Sequence, residues 1–186
     1  GIDRDPATID KCRSLRDDLG WKGLDFFEAD IANYEPDINP ELVLSLHACN
    51  TATDEAIARG INWDSQAIVV APCCQHELRP QIQAPAMQAI MRYGLLKQRT
   101  AEIVTDAVRA QALRIMGYRT GVVEFVYPSH TPKNLMIRAQ KVRESGDVAM
   151  IREYLELRDY WHVEPRLEKL IGDTFLSLIE GYRETA

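Results

Sequence analysis

The apolar positions in the first part of the chain alternate between helical spacing and short continuous runs. The runs and their flanking residues predict strands at residues 2–3, 24–27, 42–46 and 67–71. Helices are predicted to begin at Pro6 and at Thr51 or Thr53, and to be closed by Gly20 and Gly60. The runs at 42–46 and 67–71 contain almost no polar residue, which is typical of strands buried on both faces. This order predicts a parallel sheet with crossover helices.

The second part of the chain changes pattern after residue 81. Residues 81–116 have helical spacing that is interrupted near Pro85 and Gly94, and Gly117 is predicted to end the helix. Strands at residues 122–127 and 135–142, with a short loop between them, predict an antiparallel hairpin. Two amphipathic segments, residues 148–160 and 165–182, are spaced to pack on the domain or on a second subunit. We therefore predict an α/β domain at residues 1–142 and a helical appendage at residues 143–186.

Composition narrows the class of protein. A chain of 186 residues with 46% hydrophobic and 27% charged residues is typical of one soluble globular domain. No apolar run approaches the roughly 20 residues that span a bilayer, and the first residues do not resemble a signal peptide, so we expect a cytoplasmic protein without a membrane partner. Four cysteines are too few for a disulfide scaffold, which favours reduced thiols.

The net charge of −6 argues against a surface that binds nucleic acid over its whole extent. It leaves room for a local basic strip, for which the sequence offers Arg109, Arg114, Arg119, Lys133, Arg138 and Lys141.

Ligands of parallel sheets bind beyond the carboxyl ends of the strands, so the residues that follow each strand are the candidate site. Asp3 follows the first strand, where a carboxylate can accept hydrogen bonds from both ribose hydroxyls of a nucleoside. Asp30 and Ile31 follow the second strand, where they can contact an adenine amine and its ring. Each acid has an alternative interpretation, in which Asp3 belongs to a helix-capping turn and Asp30 to an ordinary turn.

The next two strands end in the strings SLHACNTATD, residues 45–54, and PCCQHEL, residues 72–78. If these strands are neighbours, one cleft receives His47, Cys49, Cys73, Cys74 and His76. Three interpretations stay open at this point. In the first, the side chains are zinc ligands, although vicinal cysteines fit tetrahedral ligation poorly. In the second, a cysteine and a histidine form a nucleophile pair, although no orienting partner is evident. In the third, the side chains are packed core groups with hydrogen-bond partners.

Five strings carry a resemblance to a known family: SLHACNTATD, PCCQHEL, TDAVRA at residues 105–110, GYRT at 117–120 and HTPKNL at 130–135. In this order they resemble successive signatures of a bacterial family of class I S-adenosylmethionine-dependent methyltransferases. The family is more distantly similar to eukaryotic tRNA ribose 2′-O-methyltransferases. The resemblance extends to about residue 142.

The resemblance implies a Rossmann-like class I methyltransferase sheet, mostly parallel with an antiparallel C-terminal hairpin. It implies S-adenosylmethionine as the cofactor. Class I enzymes begin with a strand and a glycine-rich loop that contacts the cofactor, and nothing before Gly1 supplies them. We therefore expect the chain to be part of a longer protein and to be inactive alone.

Site residues carry over from the resemblance position by position. Asp3 is implied as the ribose ligand, Asp30 and Ile31 as the adenine contacts, and Leu46 and His47 as neighbours of the methyl donor. The remaining roles are hypotheses about methyl transfer: His47 and His76 are the candidate catalytic residues, with Cys74 and Gln75 shaping the acceptor pocket, and Cys73, Lys133 and Asn134 are the candidate substrate contacts. For Lys133, a solvated surface side chain is the alternative. The family usually has Asp where this chain has Asn50, so Asn50 receives no chemical role.

The distant resemblance implies an RNA acceptor, such as a tRNA ribose hydroxyl. Two alternatives stay open: a small-molecule or protein methyltransferase, and a binding or scaffold domain that no longer turns over. In the enzyme interpretations, we expect Asp3, Asp30, His47 and the Cys73 and Cys74 corner to surround one nucleoside-shaped hollow.

Overall fold

A computed structural model of the chain describes residues 1–46, 48, 51–127, 129–131 and 133–185. The chain divides into two compact units, residues 1–38 and residues 39–186. The division at residue 142 that the sequence suggested is a different partition, and it stays a prediction.

The first unit is a strand, a helix and a second strand. Strands β1 (Ile2–Asp3) and β2 (Phe27–Glu28) pair in parallel, and helix α1 (Pro6–Asp18) connects them. The helix begins where predicted because Asp5 caps it, accepting hydrogen bonds from the Ala7 amide at 3.2 Å and the Thr8 hydroxyl at 2.7 Å. The second strand is shorter and later than predicted.

The second unit contains a four-stranded sheet surrounded by helices. Its strands are β3 (Leu42–Leu46), β4 (Ala67–Ala71), β5 (Tyr118–Glu124) and β6 (Leu135–Lys141), in the order β3-β4-β6-β5. Its helices are α2 (Thr51–Asn62), α3 (Gln88–Met91), α4 (Gly94–Ile115), α5 (Val148–Trp161), α6 (Arg166–Ile171) and α7 (Asp173–Thr185). A single 3₁₀ turn, Pro85–Met87, precedes α3. The architecture is therefore mixed α/β.

The strand pairings agree with part of the prediction. β3 and β4 are parallel, and β5 and β6 form the predicted antiparallel hairpin. β6 also pairs antiparallel with β4, so two of the four ladders among the described strands are parallel and two are antiparallel. The parallel share of the described sheets is thus smaller than the predicted "mostly parallel" arrangement.

The C-terminal helices contribute to the main hydrophobic core. Tyr154 of α5 and Phe175 of α7 are both 0% exposed and meet edge to face, with ring centroids 5.5 Å apart. Both side chains belong to the same buried cluster as Ile68 of β4 and Ile137 of β6. The sheet and the last three helices therefore form one core within residues 39–186.

The structure corrects the predicted burial of β3. Leu42, Leu44 and Leu46 are 48%, 65% and 64% exposed, whereas Val43 and Ser45 between them are half-buried. Among the described strands, β3 pairs with β4 alone. The continuous apolar run therefore does not correspond to burial on both faces of this strand.

Three glycines were predicted to end helices, and the structure supports two of them, Gly20 just after α1 and Gly117 just after α4. Gly117 follows α4 with a φ of +91°, and a Cβ there would collide with the Arg143 carbonyl oxygen, so the position requires glycine. Gly60 instead lies inside α2, which continues to Asn62. A Cβ on Gly60 would lie 2.7 Å from Ile68 Cδ1 and 3.3 Å from Val43 Cγ2, so glycine is explained there by close packing of α2 on the sheet.

We expect Gly60→Ala to lower the free energy of unfolding by about 1–2 kcal/mol, because overpacking outweighs the gain in helix propensity. Gly181→Ala, in α7, is the matched control: no atom lies within 4 Å of its added Cβ. That control should stabilise the protein by up to about 1 kcal/mol. Urea denaturation of the two variants checks this, and equal stabilisation by both would show that α2 has room against the sheet.

Candidate functional site

The first unit places the two predicted nucleoside ligands at one edge of its small sheet. β1 ends at Asp3, and β2 ends two residues before Asp30. Adjacent parallel strands end at the same edge, so both carboxylates belong to that edge. Both side chains are exposed, and Ile31 beside Asp30 is half-buried.

Both acids also have the local roles that the alternative interpretation gave them. Asp3 Oδ1 accepts the Asp5 amide at 2.8 Å, and Asp30 Oδ1 accepts the Ala32 amide at 2.9 Å, where Asp30 caps the 3₁₀ turn Ile31–Asn33. The second carboxylate oxygen of each acid accepts no hydrogen bond from the described part of the chain. An acceptor oxygen on each side chain is therefore open to a hydroxyl or an amine donor.

The segment after β3 is described in part. His47, Cys49 and Asn50 lie outside the described residues, so the catalytic role predicted for His47 stays a prediction. The Ala48 carbonyl oxygen accepts the Thr53 hydroxyl at 2.6 Å, which joins this segment to the first turn of α2. Leu46, the last residue of β3, is exposed.

The loop after β4 separates its predicted site residues by burial. Cys73 and Cys74 are half-buried, and their sulfur atoms lie 3.8 Å apart. His76 is exposed, whereas Gln75, between Cys74 and His76 in the chain, is only 3% exposed. Glu77 accepts the Arg166 amide at 2.6 Å, and burial raises the pKa of its carboxyl.

The Gln75 amide is fixed at both ends. Its Nε2 donates to Asp106 Oδ2 at 2.9 Å, and its Oε1 accepts Lys133 Nζ at 3.4 Å. A carboxylate accepts hydrogen bonds and an ammonium donates them, so the amide fits in one orientation only. Gln75 therefore connects the loop after β4 to α4 and to Lys133.

Asp106 belongs to a buried charge cluster centred on Arg109. The Arg109 guanidinium donates to both carboxylate oxygens of Asp54, with Nε–Oδ1 at 2.7 Å and Nη2–Oδ2 at 3.0 Å, and its Nη1 donates to Asp106 Oδ1 at 3.1 Å. The exposed fractions of the Arg109, Asp54 and Asp106 side chains are 1%, 2% and 7%. Burial raises the pKa of the Asp106 carboxyl, and the Arg109 guanidinium opposes that rise.

Lys133 lies at the open end of this cluster. It forms an ion pair with Glu102, in addition to its bond to Gln75. Burial alone would raise the pKa of Glu102, but hydrogen bonds from Lys133 and Gln98 lower it below its usual range. A lowered carboxyl pKa means that this pairing stabilises the fold at neutral pH and that the contribution is lost as the pH falls through the Glu102 pKa.

Lys133 and Gln75 line a cleft of about 280 Å³. Both polar and apolar side chains line it, and Glu102, Asn134 and Ile103 are among them. Asn134 is only 6% exposed, and its Nδ2 donates to the Val126 carbonyl at 2.9 Å, so its amide nitrogen serves the loop between β5 and β6. Of these two predicted substrate contacts, a third being Cys73, Lys133 is the more exposed, with 31% of its side chain accessible.

The structure corrects the predicted basic strip. Arg109 is buried and cannot meet an RNA backbone. Arg114 pairs with Glu153 at 2.8 Å, and Lys133 and Lys141 pair with Glu102 and Asp64. These three carboxylates, with Asp54 and Asp106 at Arg109, pair with four of the six cations in the predicted strip, which leaves Arg119 and Arg138.

Sequence reasoning missed Asp54, Glu102, Asp106 and Arg109 as a connected group. The available signal was in TDAVRA, where Asp106 and Arg109 are three residues apart between buried apolar positions of one helix. A charged pair on the apolar face of a helix needs a further partner to be buried. The identity of that partner, Asp54, depends on the tertiary fold.

Among the described residues, no group of three or more His, Cys, Asp and Glu side chains is arranged to hold a metal ion. The zinc interpretation also involved His47 and Cys49, which lie outside that part of the chain.

Comparison with known proteins gives one result for the family. The model of a family described as a methyltransferase domain matches residues 1–81. The matched segment contains Asp3 and Asp30 and the strings SLHACNTATD and PCCQHEL. The match supports a methyltransferase family and methyl transfer in general. Neither the curated proteins nor the solved structures give a match.

None of the helices in the described part of the chain has both the length and the apolar character that crossing a membrane requires.

The buried cluster generates a stability prediction. Arg109→Met should lower the free energy of unfolding by about 3–5 kcal/mol, because it leaves two buried carboxylates without their cation. Arg114→Met is the control on the same helix, where the partly exposed pair with Glu153 contributes at most about 1 kcal/mol. Urea denaturation measures both, and losses of equal size would contradict the special role of Arg109.

Proposed function

We propose that the protein transfers a methyl group from S-adenosylmethionine, with a Rossmann-like class I sheet as its scaffold. The observation that carries the proposal is the methyltransferase-domain match over residues 1–81. The parallel strands and crossover helices in this region are compatible with it.

The residues of the first unit fit the nucleoside part of this cofactor. Ribose hydroxyls and the adenine amine are hydrogen-bond donors, and Asp3 and Asp30 offer them open carboxylate oxygens at one sheet edge. Ile31 offers an apolar side chain next to Asp30 for contact with the ring. In this proposal Asp3 binds the ribose, and Asp30 and Ile31 bind the adenine.

The residues of the second unit supply the acceptor side. When bound, the cofactor provides an electrophilic methyl group on a sulfonium. The protein then has to hold the acceptor atom and remove its proton where necessary. We assign the proton transfer to His47, with the exposed His76 as the second candidate, and the shape of the pocket to Cys74 and Gln75. Leu46 is proposed to contact the cofactor, and Cys73, Lys133 and Asn134 the acceptor.

For the acceptor, we propose RNA, with a tRNA ribose hydroxyl as the form to test first. The proposal rests on the resemblance of the strand-end strings, and the pairing of four of the six cations weakens its electrostatic support. Labelled S-adenosylmethionine incubated with the full-length protein should transfer its label to an RNA band of total cellular RNA. Label that appears instead in the protein or small-molecule fraction would replace RNA by that class of acceptor.

Asp3→Ala should weaken binding of S-adenosylmethionine to the full-length protein by about tenfold or more, because hydrogen bonds to a charged group contribute about 1.5–3 kcal/mol. Asp18→Ala is the matched control, an exposed acid at the end of α1 in the same unit. Titration calorimetry measures both affinities. If the unsubstituted full-length protein bound no S-adenosylmethionine, the proposed function would be wrong, whereas equal affinities for both variants would remove Asp3 from the site.

A further inference from the structure

Arg109 connects the two strand-end segments to which the proposed function assigns the acceptor side. On one side it binds Asp54, in the first turn of α2, which begins directly after the segment that follows β3. On the other side it binds Asp106, which accepts the Gln75 amide of the loop after β4. The guanidinium of Arg109 on α4 is thus hydrogen-bonded to Asp54 on the α2 side and to Asp106 on the loop side.

On the loop side, the connection passes through the Gln75 side chain. Gln75 is held between Asp106 and Lys133, so a shift of the loop would break at least one of the two hydrogen bonds. Its neighbours Cys74 and His76, to which we assign the pocket wall and the second candidate base, are adjacent in the chain and move with it. Arg109 itself is 1% exposed and does not line the cleft.

We propose that Arg109 is a positioning residue for the acceptor site: it holds residues 73–76 through Asp106 and Gln75, and the start of α2 through Asp54. This inference rests on the proposed function, because that function gives the two segments their shared task. Lysine cannot replace arginine here, since one ammonium cannot reproduce a fork that binds one carboxylate at two points and a second carboxylate at a third.

The thiols beside Gln75 report the position of the loop without an activity assay. Cys73 and Cys74 are half-buried and react with iodoacetamide to the extent that the loop opens. Cys12, on α1, serves as an internal reference in the same molecule. Mass spectrometry of the alkylated peptides separates the two sites, and a melting curve records overall stability.

Arg109→Lys should raise the alkylation rate at Cys73 and Cys74 about tenfold, equivalent to about 1.4 kcal/mol of opening free energy, and leave Cys12 unchanged. Arg114→Lys is the matched control, the same change on the same helix, and should alter neither rate. Once an acceptor is identified, Arg109→Lys should also lower kcat with little change in the KM for S-adenosylmethionine.

Asp106→Asn decides the question if Arg109→Lys does not fold. The new amide has one oxygen and one NH2 group, so it can accept a hydrogen bond from Arg109 or from Gln75 but not from both without a loss. Whichever way the two amides turn, the series from Arg109 through residue 106 and Gln75 to Lys133 loses one hydrogen bond, so alkylation at Cys73 and Cys74 should again rise selectively. An unchanged rate at Cys73 and Cys74, or an equal rise at Cys12, would overturn the inference. Because thiol reactivity requires neither cofactor binding nor methyl transfer, its result is independent of the test of the proposed function.

Discussion

The second unit depends on a guanidinium buried between two carboxylates. Transfer of Arg109, Asp54 and Asp106 from water into the core is costly, and the ion pairs offset that cost only when their hydrogen bonds are well aligned. The two-point contact with Asp54 and the third contact with Asp106 meet this condition. Three charges in a low-dielectric interior therefore fix α2 relative to α4 more narrowly than apolar packing alone would.

The cluster also connects strings that are distant in the sequence. Asp54 ends the first string, Gln75 is in the second, Asp106 and Arg109 are in the third, and Lys133 is in the fifth. Hydrogen bonds connect these residues in series, from the start of α2 to the rim of the cleft. These strings thus share a buried scaffold, and in our proposal the exposed or half-buried residues of the same strings carry the chemistry.

Local patterns in the sequence were enough to predict the elements that local physics determines. The helix after β1, the strand at 67–71, the hairpin and the helix end at Gly117 follow from capping, apolar runs and turn geometry. The exposed leucines of β3 and the helical position of Gly60 were not predictable in this way, because both depend on which element packs against which face.

In the candidate site, too, features set by local sequence were predictable and features set by tertiary contacts were not. Asp3 and Asp30 were identified from their places after predicted strands, and the structure brings both to one edge. The prediction placed Arg109 in the basic strip because a sequence shows where cations are and not which carboxylates neutralise them. Arg109 seemed available to RNA, yet its partner Asp54 is 55 residues away in the chain. Only the fold reveals that pairing.

A double-mutant cycle on Asp54 and Arg109 tests the central claim most directly. Unfolding free energies would be measured by urea denaturation for Asp54→Asn, Arg109→Met and the combination. We predict a coupling energy of about 2–3 kcal/mol, at the upper end for residues in direct contact. Effects that add to within about 0.5 kcal/mol would show that the two side chains do not depend on each other, and would contradict the account.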